Sequence, residues 1–147
     1  MMPKYIKSFG IAGGVAFVVA YILAGNAVRG LFKKSPDIRS QAFLSQVAAE
    51  LNKTTPQKID DETELASGTG LEGVFVYNYR LVNRSAGEVD GPKLAAILRP
   101  DVTKSACTTP QTRDTFLSKG VTLRYSYASK DGKPLTAFDV TPKDCGF

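Results

Sequence analysis

Histidine and tryptophan are both absent from this chain of 147 residues. Without an imidazole there is no Ser-His-Asp or Cys-His catalysis, no histidine-ligated zinc or haem, and no ordinary proton shuttle near neutral pH. Cysteine is scarce, with only Cys107 and Cys145 present. There is no C-x-x-C pair for redox work, and two thiols without histidine do not make a zinc site. Acidic residues are missing from the first 34 positions, which hold Lys4, Lys7, Arg29, Lys33 and Lys34. Of the 19 Lys and Arg residues, 14 therefore remain to face all 14 Asp and Glu residues downstream. The net charge of +5 belongs to the N-terminal segment, and the remainder is balanced. A nucleic-acid binder concentrates Lys and Arg on its folded surface to displace counterions from phosphates, so no nucleic acid is expected as a partner.

Charge is also lacking from Phe9 to Gly25, a run of 17 residues that extends to 20 with Asn26, Ala27 and Val28. At 1.5 Å per helical residue that length crosses about 30 Å of hydrocarbon. The expected organisation is a short basic tail at 1–8, a transmembrane helix or signal anchor at 9–28, a basic linker at 29–35, and a folded domain at 36–147. The sequence Gly25-Asn26-Ala27 is a poor match to a signal-peptidase site, which favours an anchor over a cleaved leader. Within the span, Ala12, Ala16, Ala20 and Ala24 recur every fourth residue, and Gly10 and Gly14 form G-x-x-x-G. Each spacing lines up small side chains along a helix so that a second membrane helix can approach closely, a reading set against the plain abundance of Ala and Gly in membrane helices. Topology is contested. More Lys and Arg follow the span than precede it, which by the positive-inside rule holds the C-terminal domain in the cytoplasm. The two cysteines argue the other way.

Those cysteines allow a disulfide, two buried thiols, or one reactive thiol, and a domain of this size favours the disulfide. It would enclose about 38 residues and contribute roughly 4 kcal/mol through the unfolded chain. It also requires an oxidising compartment. The expectation is therefore a single-pass protein of the inner membrane with its domain in the periplasm.

The domain reads as α+β. Ser35-Pro36-Asp37 is a helix start, and Ile38, Phe43, Leu44, Val47, Ala48 and Leu51 form the apolar stripe that follows. In "VFVYNYRLV" Phe75, Tyr77, Tyr79 and Leu81 share one face of a strand. Asp90 or Gly91 opens a short helix that Pro100 is expected to stop, and Thr109-Pro110 opens another. Val121 to Ala128 alternates, Asp131-Gly132 turns the chain, and Leu135 to Thr141 returns. The order αββααββ predicts an antiparallel sheet of about four strands with helices on one face. "VYNYRL" and "LRYSYA" look like equivalent strands of two hairpins.

Gly68, Gly70 and Gly73 match the dinucleotide fingerprint G-x-G-x-x-G. In a nucleotide-binding unit those glycines open a helix whose N-terminus holds the pyrophosphate. Here a strand follows them, so they are read as turn glycines and no nucleotide is expected. Asp60, Asp61, Glu62 and Glu64 lack the spacing of a calcium loop and read as a solvated strand edge. Tyr77, Tyr79, Tyr125 and Tyr127 form either a face for a ligand or the buried side of the sheet. Asn52-Lys53-Thr54 and Asn83-Arg84-Ser85 are glycosylation sequons.

These readings converge on a membrane-anchored periplasmic domain that binds a protein, with no catalysis, cofactor or metal. The alternative is a structural accessory subunit of a membrane complex. An enzyme resting on Asp/Glu pairs comes third.

Overall fold

The structure, a computed structural model, describes residues 37–147. The span expected at 9–28, the linker at 29–35, and the helix-packing positions Gly10, Ala12, Gly14, Ala16, Ala20 and Ala24 lie outside the described residues. Among the described residues no helix is long and apolar enough to cross a membrane.

The first helix, α1, runs Gln41–Asn52 and starts later than expected. Ser40 caps it, its hydroxyl accepting the Phe43 N–H at 3.2 Å. Asp37 is not in the first turn. Its carboxylate accepts the Arg39 N–H and its carbonyl accepts the Ser40 N–H, each at 3.0 Å, which builds a turn before the helix. Ser35 and Pro36 lie outside the described residues. The apolar stripe is as expected: Phe43, Leu44, Val47, Ala48 and Leu51 are all buried.

Five strands follow in a sheet ordered β1-β2-β3-β4-β5: Gln57–Lys58, Thr63–Leu71, Val74–Leu81, Thr122–Ala128 and Pro134–Val140. The sheet is mixed, which corrects the antiparallel expectation. Strands β3 and β4 pair in parallel, and every other neighbouring pair is antiparallel. The cause is the connection. Between β3 and β4 the chain passes through helix α2 at Gly91–Thr108 and α3 at Pro110–Arg113, and a crossover of that length returns it to the end of the sheet where β3 began. The two hairpins thus lie side by side, with Tyr77 opposite Tyr125 and Tyr79 opposite Tyr127.

Helix α2 does not stop at Pro100, which corrects the sequence expectation. The proline removes one N–H bond to the carbonyl of Ala96. Both residues are exposed, so water reaches the freed carbonyl. Leu94 and Leu98 before the proline, and Val102 and Ala106 after it, occupy one buried stripe, and that packing carries the helix through. Asp90 caps α2 as read, accepting the Lys93 N–H at 3.1 Å.

One core unites α1 and α2 with the inner face of the sheet. Its largest fully buried side chains include Tyr127, Phe43, Phe75 and Phe116, each contributing about 1.5–3 kcal/mol by leaving water. The opposite face of the sheet holds Val74 and Val76 and is otherwise polar and cross-linked. Arg80 pairs with Glu64, Asn78 donates to Ser67 and Thr69, and Arg124 pairs with Asp139.

Candidate functional site

The glycine cluster performs two structural tasks. Gly73, at φ +70°, turns the chain between β2 and β3, as read from the sequence. Gly68 and Gly70 instead lie within β2, where they allow α1 to approach the strand. A Cβ on Gly70 would fall 2.1 Å from the carbonyl carbon of Leu44 and 2.2 Å from the backbone nitrogen of Ser45. That intimacy is bonded. The Asn52 amide donates to the Gly68 carbonyl at 3.0 Å and accepts its N–H at 2.7 Å, and the Ser45 hydroxyl donates to the Gly70 carbonyl at 3.2 Å. The first sequon asparagine is therefore committed to the strand. Asn83, in the other, is exposed and donates to the Asp61 carbonyl at 3.0 Å.

The four tyrosines are core residues, not a ligand-binding face. Tyr77, Tyr79, Tyr125 and Tyr127 are 1–8% exposed, and their rings stack across the parallel pair. Burial raises the phenol of Tyr77 well above its ordinary value, with the neighbouring Tyr125 adding to the shift. Tyr79 is raised in the same way, by burial first and then by Tyr127, Tyr125 and Tyr77; Tyr125 is raised by burial. These groups stay neutral at any physiological pH.

The acidic cluster is distributed over cations. Lys58 meets Asp61 at 3.2 Å, Arg84 meets Glu62 at 3.6 Å, and Arg80 meets Glu64. The Asp60 carboxylate accepts the Glu62 N–H at 2.8 Å. Cys107 and Cys145 are joined, with Cα atoms 5.2 Å apart. The bond ties the end of α2 to a 3₁₀ turn at Pro142–Cys145, where Thr141 and Asp144 form a capping box.

One groove, of about 490 Å³, runs along the outer side of β5. Arg99 of α2 forms one wall; Ala137, Phe138 and Asp139 form the floor; Thr141 and Asp144 close one end. Backbone parity fixes what the floor presents. The Thr122 N–H donates to the Gly73 carbonyl on the β3 side, so Thr122, Arg124 and Ser126 turn their backbone groups toward β3. Leu123, Tyr125 and Tyr127 turn theirs toward β5, opposite Val140, Phe138 and Thr136. The N–H and C=O groups of Ala137 and Asp139 consequently point outward. Arg124 reaches the side chain of Asp139 through two bonds of 2.7 and 3.0 Å, and that contact raises the guanidinium above its ordinary value. None of the groove residues was singled out in the sequence. The alternation that placed the tyrosines inward did place Arg124 on the other face, but an outward-facing backbone leaves no mark in residue types.

No protein-family model and no curated protein matches the chain. Its fold does match solved structures. A candidate secreted protein from Pseudomonas aeruginosa superimposes with a TM-score of 0.61 at 20% identity, over 74% of this chain and 95% of that one. The type 2 secretion system pilotin EpsS from Vibrio vulnificus follows at 0.57 and 14% identity, over 73% and 92%. The type II secretion system pilotin AspS from Vibrio cholerae gives 0.53 and 13%, over 71% and 91%. At these identities what is shared is the fold, a mixed sheet with its helices laid over it.

Proposed function

We propose that this chain is a single-pass inner-membrane protein whose α+β domain stands in the periplasm and works by binding a protein partner, without catalysis. The observation that carries the reading is the fold held in common, over 91–95% of their lengths, with a candidate secreted protein and two secretion-system pilotins. The Cys107–Cys145 bond supports the compartment, because a disulfide persists where the surroundings are oxidising. The apolar run at 9–28 supports the tether. A binding role suits a chain without histidine, whose clustered carboxylates are engaged by arginine, lysine and backbone groups.

The test is a pair of C-terminal fusions, one to alkaline phosphatase and one to a cytoplasmic fluorescent protein, together with photo-crosslinking in the native host. An active phosphatase and a discrete protein adduct are expected. Activity of the fluorescent fusion alone overturns the location, and the absence of any protein adduct across a scan of surface positions overturns the binding role.

A further inference from the structure

Among the described residues, one border of the sheet is closed and the other is open. At the first, β1 covers part of β2, and farther along Asn52 and Ser45 of α1 bond the outward groups of Gly68 and Gly70. At the second, β5 is bounded at both ends and open between them. The start of α2 sits against the Leu135 carbonyl, where a Cβ on Gly91 would come within 2.0 Å of the oxygen. At the far end the Thr141 N–H donates to the Asp144 carboxylate at 2.8 Å. Between these stops, the outward N–H and C=O groups of Ala137 and Asp139 receive no hydrogen bond from any other element among the described residues.

The charges beside this gap are unequal in their freedom. Asp139 is occupied by Arg124, and Asp144 by its own capping box. Arg99 is exposed and lies over the Phe138 ring at 5.3 Å, with no carboxylate within ion-pair distance among the described residues. Over the four charged side chains of the groove, Arg99, Arg124, Asp139 and Asp144, the charges balance, and Arg99 is the one whose charged group has no hydrogen-bond or ion-pair partner among the described residues.

We propose that the outer edge of β5 receives an extended segment of a protein partner, which pairs with the backbone of Ala137 and Asp139 and sets an Asp or Glu side chain on Arg99. This rests on the protein-binding reading above and names its surface. A strand added to a sheet edge gains affinity from main-chain bonds and specificity from side-chain pockets. With two open residues the partner motif is short. Arg99 stands over Phe138, between the two open positions, so the carboxylate it meets has peptide on both sides. It belongs to an internal acidic residue and not to a chain terminus. The edge is too short to serve as a general template for aggregation, which suits a dedicated docking strand.

The probe is a phage-displayed library of random linear peptides, selected on the full chain in mild detergent. Selected sequences are expected to centre on an acidic residue, and their binding to slow amide hydrogen exchange at Ala137 and Asp139. Ala137→Pro removes one outward N–H at an edge position that tolerates proline. It is expected to weaken binding about tenfold, the equivalent of one hydrogen bond to backbone. Arg99→Glu should weaken acidic peptides by a similar factor and favour versions carrying Lys at the same place. Circular dichroism checks that each variant folds; if Ala137→Pro does not, Arg99→Glu and the exchange data decide. Selected peptides indifferent to both variants would overturn the β5 site while leaving the protein-binding reading intact. Failure to select any peptide also overturns the site, the binding role then resting on the crosslinking result. Self-association of the chain abolished by Ala137→Pro would overturn it in favour of pairing between two copies.

Discussion

The two borders of the sheet are built on opposite plans. At β2 a helix is drawn against the strand until glycine is the only residue that fits, and helix side chains take over the hydrogen bonding that another strand would provide. At β5 helix α2 packs over the inner face, with Gly91 against Leu135 and Arg99 over Phe138, but bonds none of the outward backbone groups of Ala137 and Asp139. A protein that leaves such an edge exposed runs the risk of unwanted pairing. Here the open part is two residues long and fenced at both ends. The closed border is a matter of stability, and the open one is available for recognition.

Substitutions measure that difference. The largest effect is expected from Gly70→Leu. Its side chain would have to occupy the backbone of Leu44 and Ser45, so α1 must leave the sheet; a loss above about 4 kcal/mol, or failure to fold, is expected in urea unfolding. Next is the disulfide, which anchors the turn closing the β5 groove. Replacing Cys107 and Cys145 together by Ser should cost roughly 4 kcal/mol on the loop-entropy estimate, read from the same unfolding curves.

Between the borders lies the tyrosine layer, and pH addresses it. The phenols of Tyr77, Tyr79 and Tyr125 are raised in the folded state, so their contribution is complete below about pH 10, where the unfolded chain begins to ionise. As pH climbs from there toward the folded values, stability should fall by about 1.4 kcal/mol per tyrosine per pH unit. The tyrosinate absorbance of the four core rings should therefore rise together with loss of the circular dichroism of the fold, not ahead of it. Early, reversible ionisation of more than two of the chain's six tyrosines without unfolding would mean that the core rings are reachable from solvent.

Smaller again is Asn52→Ala, which strands the N–H and C=O of Gly68 at the closed border. A loss of about 2 kcal/mol is expected by thermal or urea denaturation. The smallest effect belongs to the open border. Ala137→Val adds bulk at an exposed position and should change stability by less than about 0.5 kcal/mol. If Asn52→Ala were as harmless as Ala137→Val, the contrast between the borders would have no energetic content.

Much of the fold was legible before any coordinates. Alternation in "VFVYNYRLV" and "TLRYSYA" assigned the tyrosines to one side of two strands, and that side is the core. Asp131-Gly132 marked the last hairpin, where Gly132 takes φ +82°. Asp90 marked the start of α2. The misses share a cause. Pro100 reads as a stop, yet burial of Leu98 and Val102 on either side outweighs one lost hydrogen bond to an exposed carbonyl. Ser35-Pro36-Asp37 reads as a helix start, whereas Ser40, which lacks a following proline or acid, caps α1 after a turn built on Asp37. Gly68 and Gly70 read as turn residues, since sequence does not distinguish a glycine needed for its φ from one needed for its missing side chain.

The candidate site was the least visible part. Ala137 and Asp139 look like any strand residues, and Arg99 like any solvated helix residue. What made them a site was which way one backbone faced, and which carboxylates were already taken.

Residue types and their periodicity thus determined the classes of chemistry denied to this chain, the identity of its elements, and which side of each strand is buried, because those follow from local sterics and from the transfer of side chains out of water. Strand direction, the helix seated on glycine, and the border left open among the described residues were decided by the assembled structure alone. Alternation with a period of two is the same for a parallel or an antiparallel neighbour, and backbone hydrogen-bonding groups are identical at every residue but proline; only the position of neighbouring chain tells which of them is left without one.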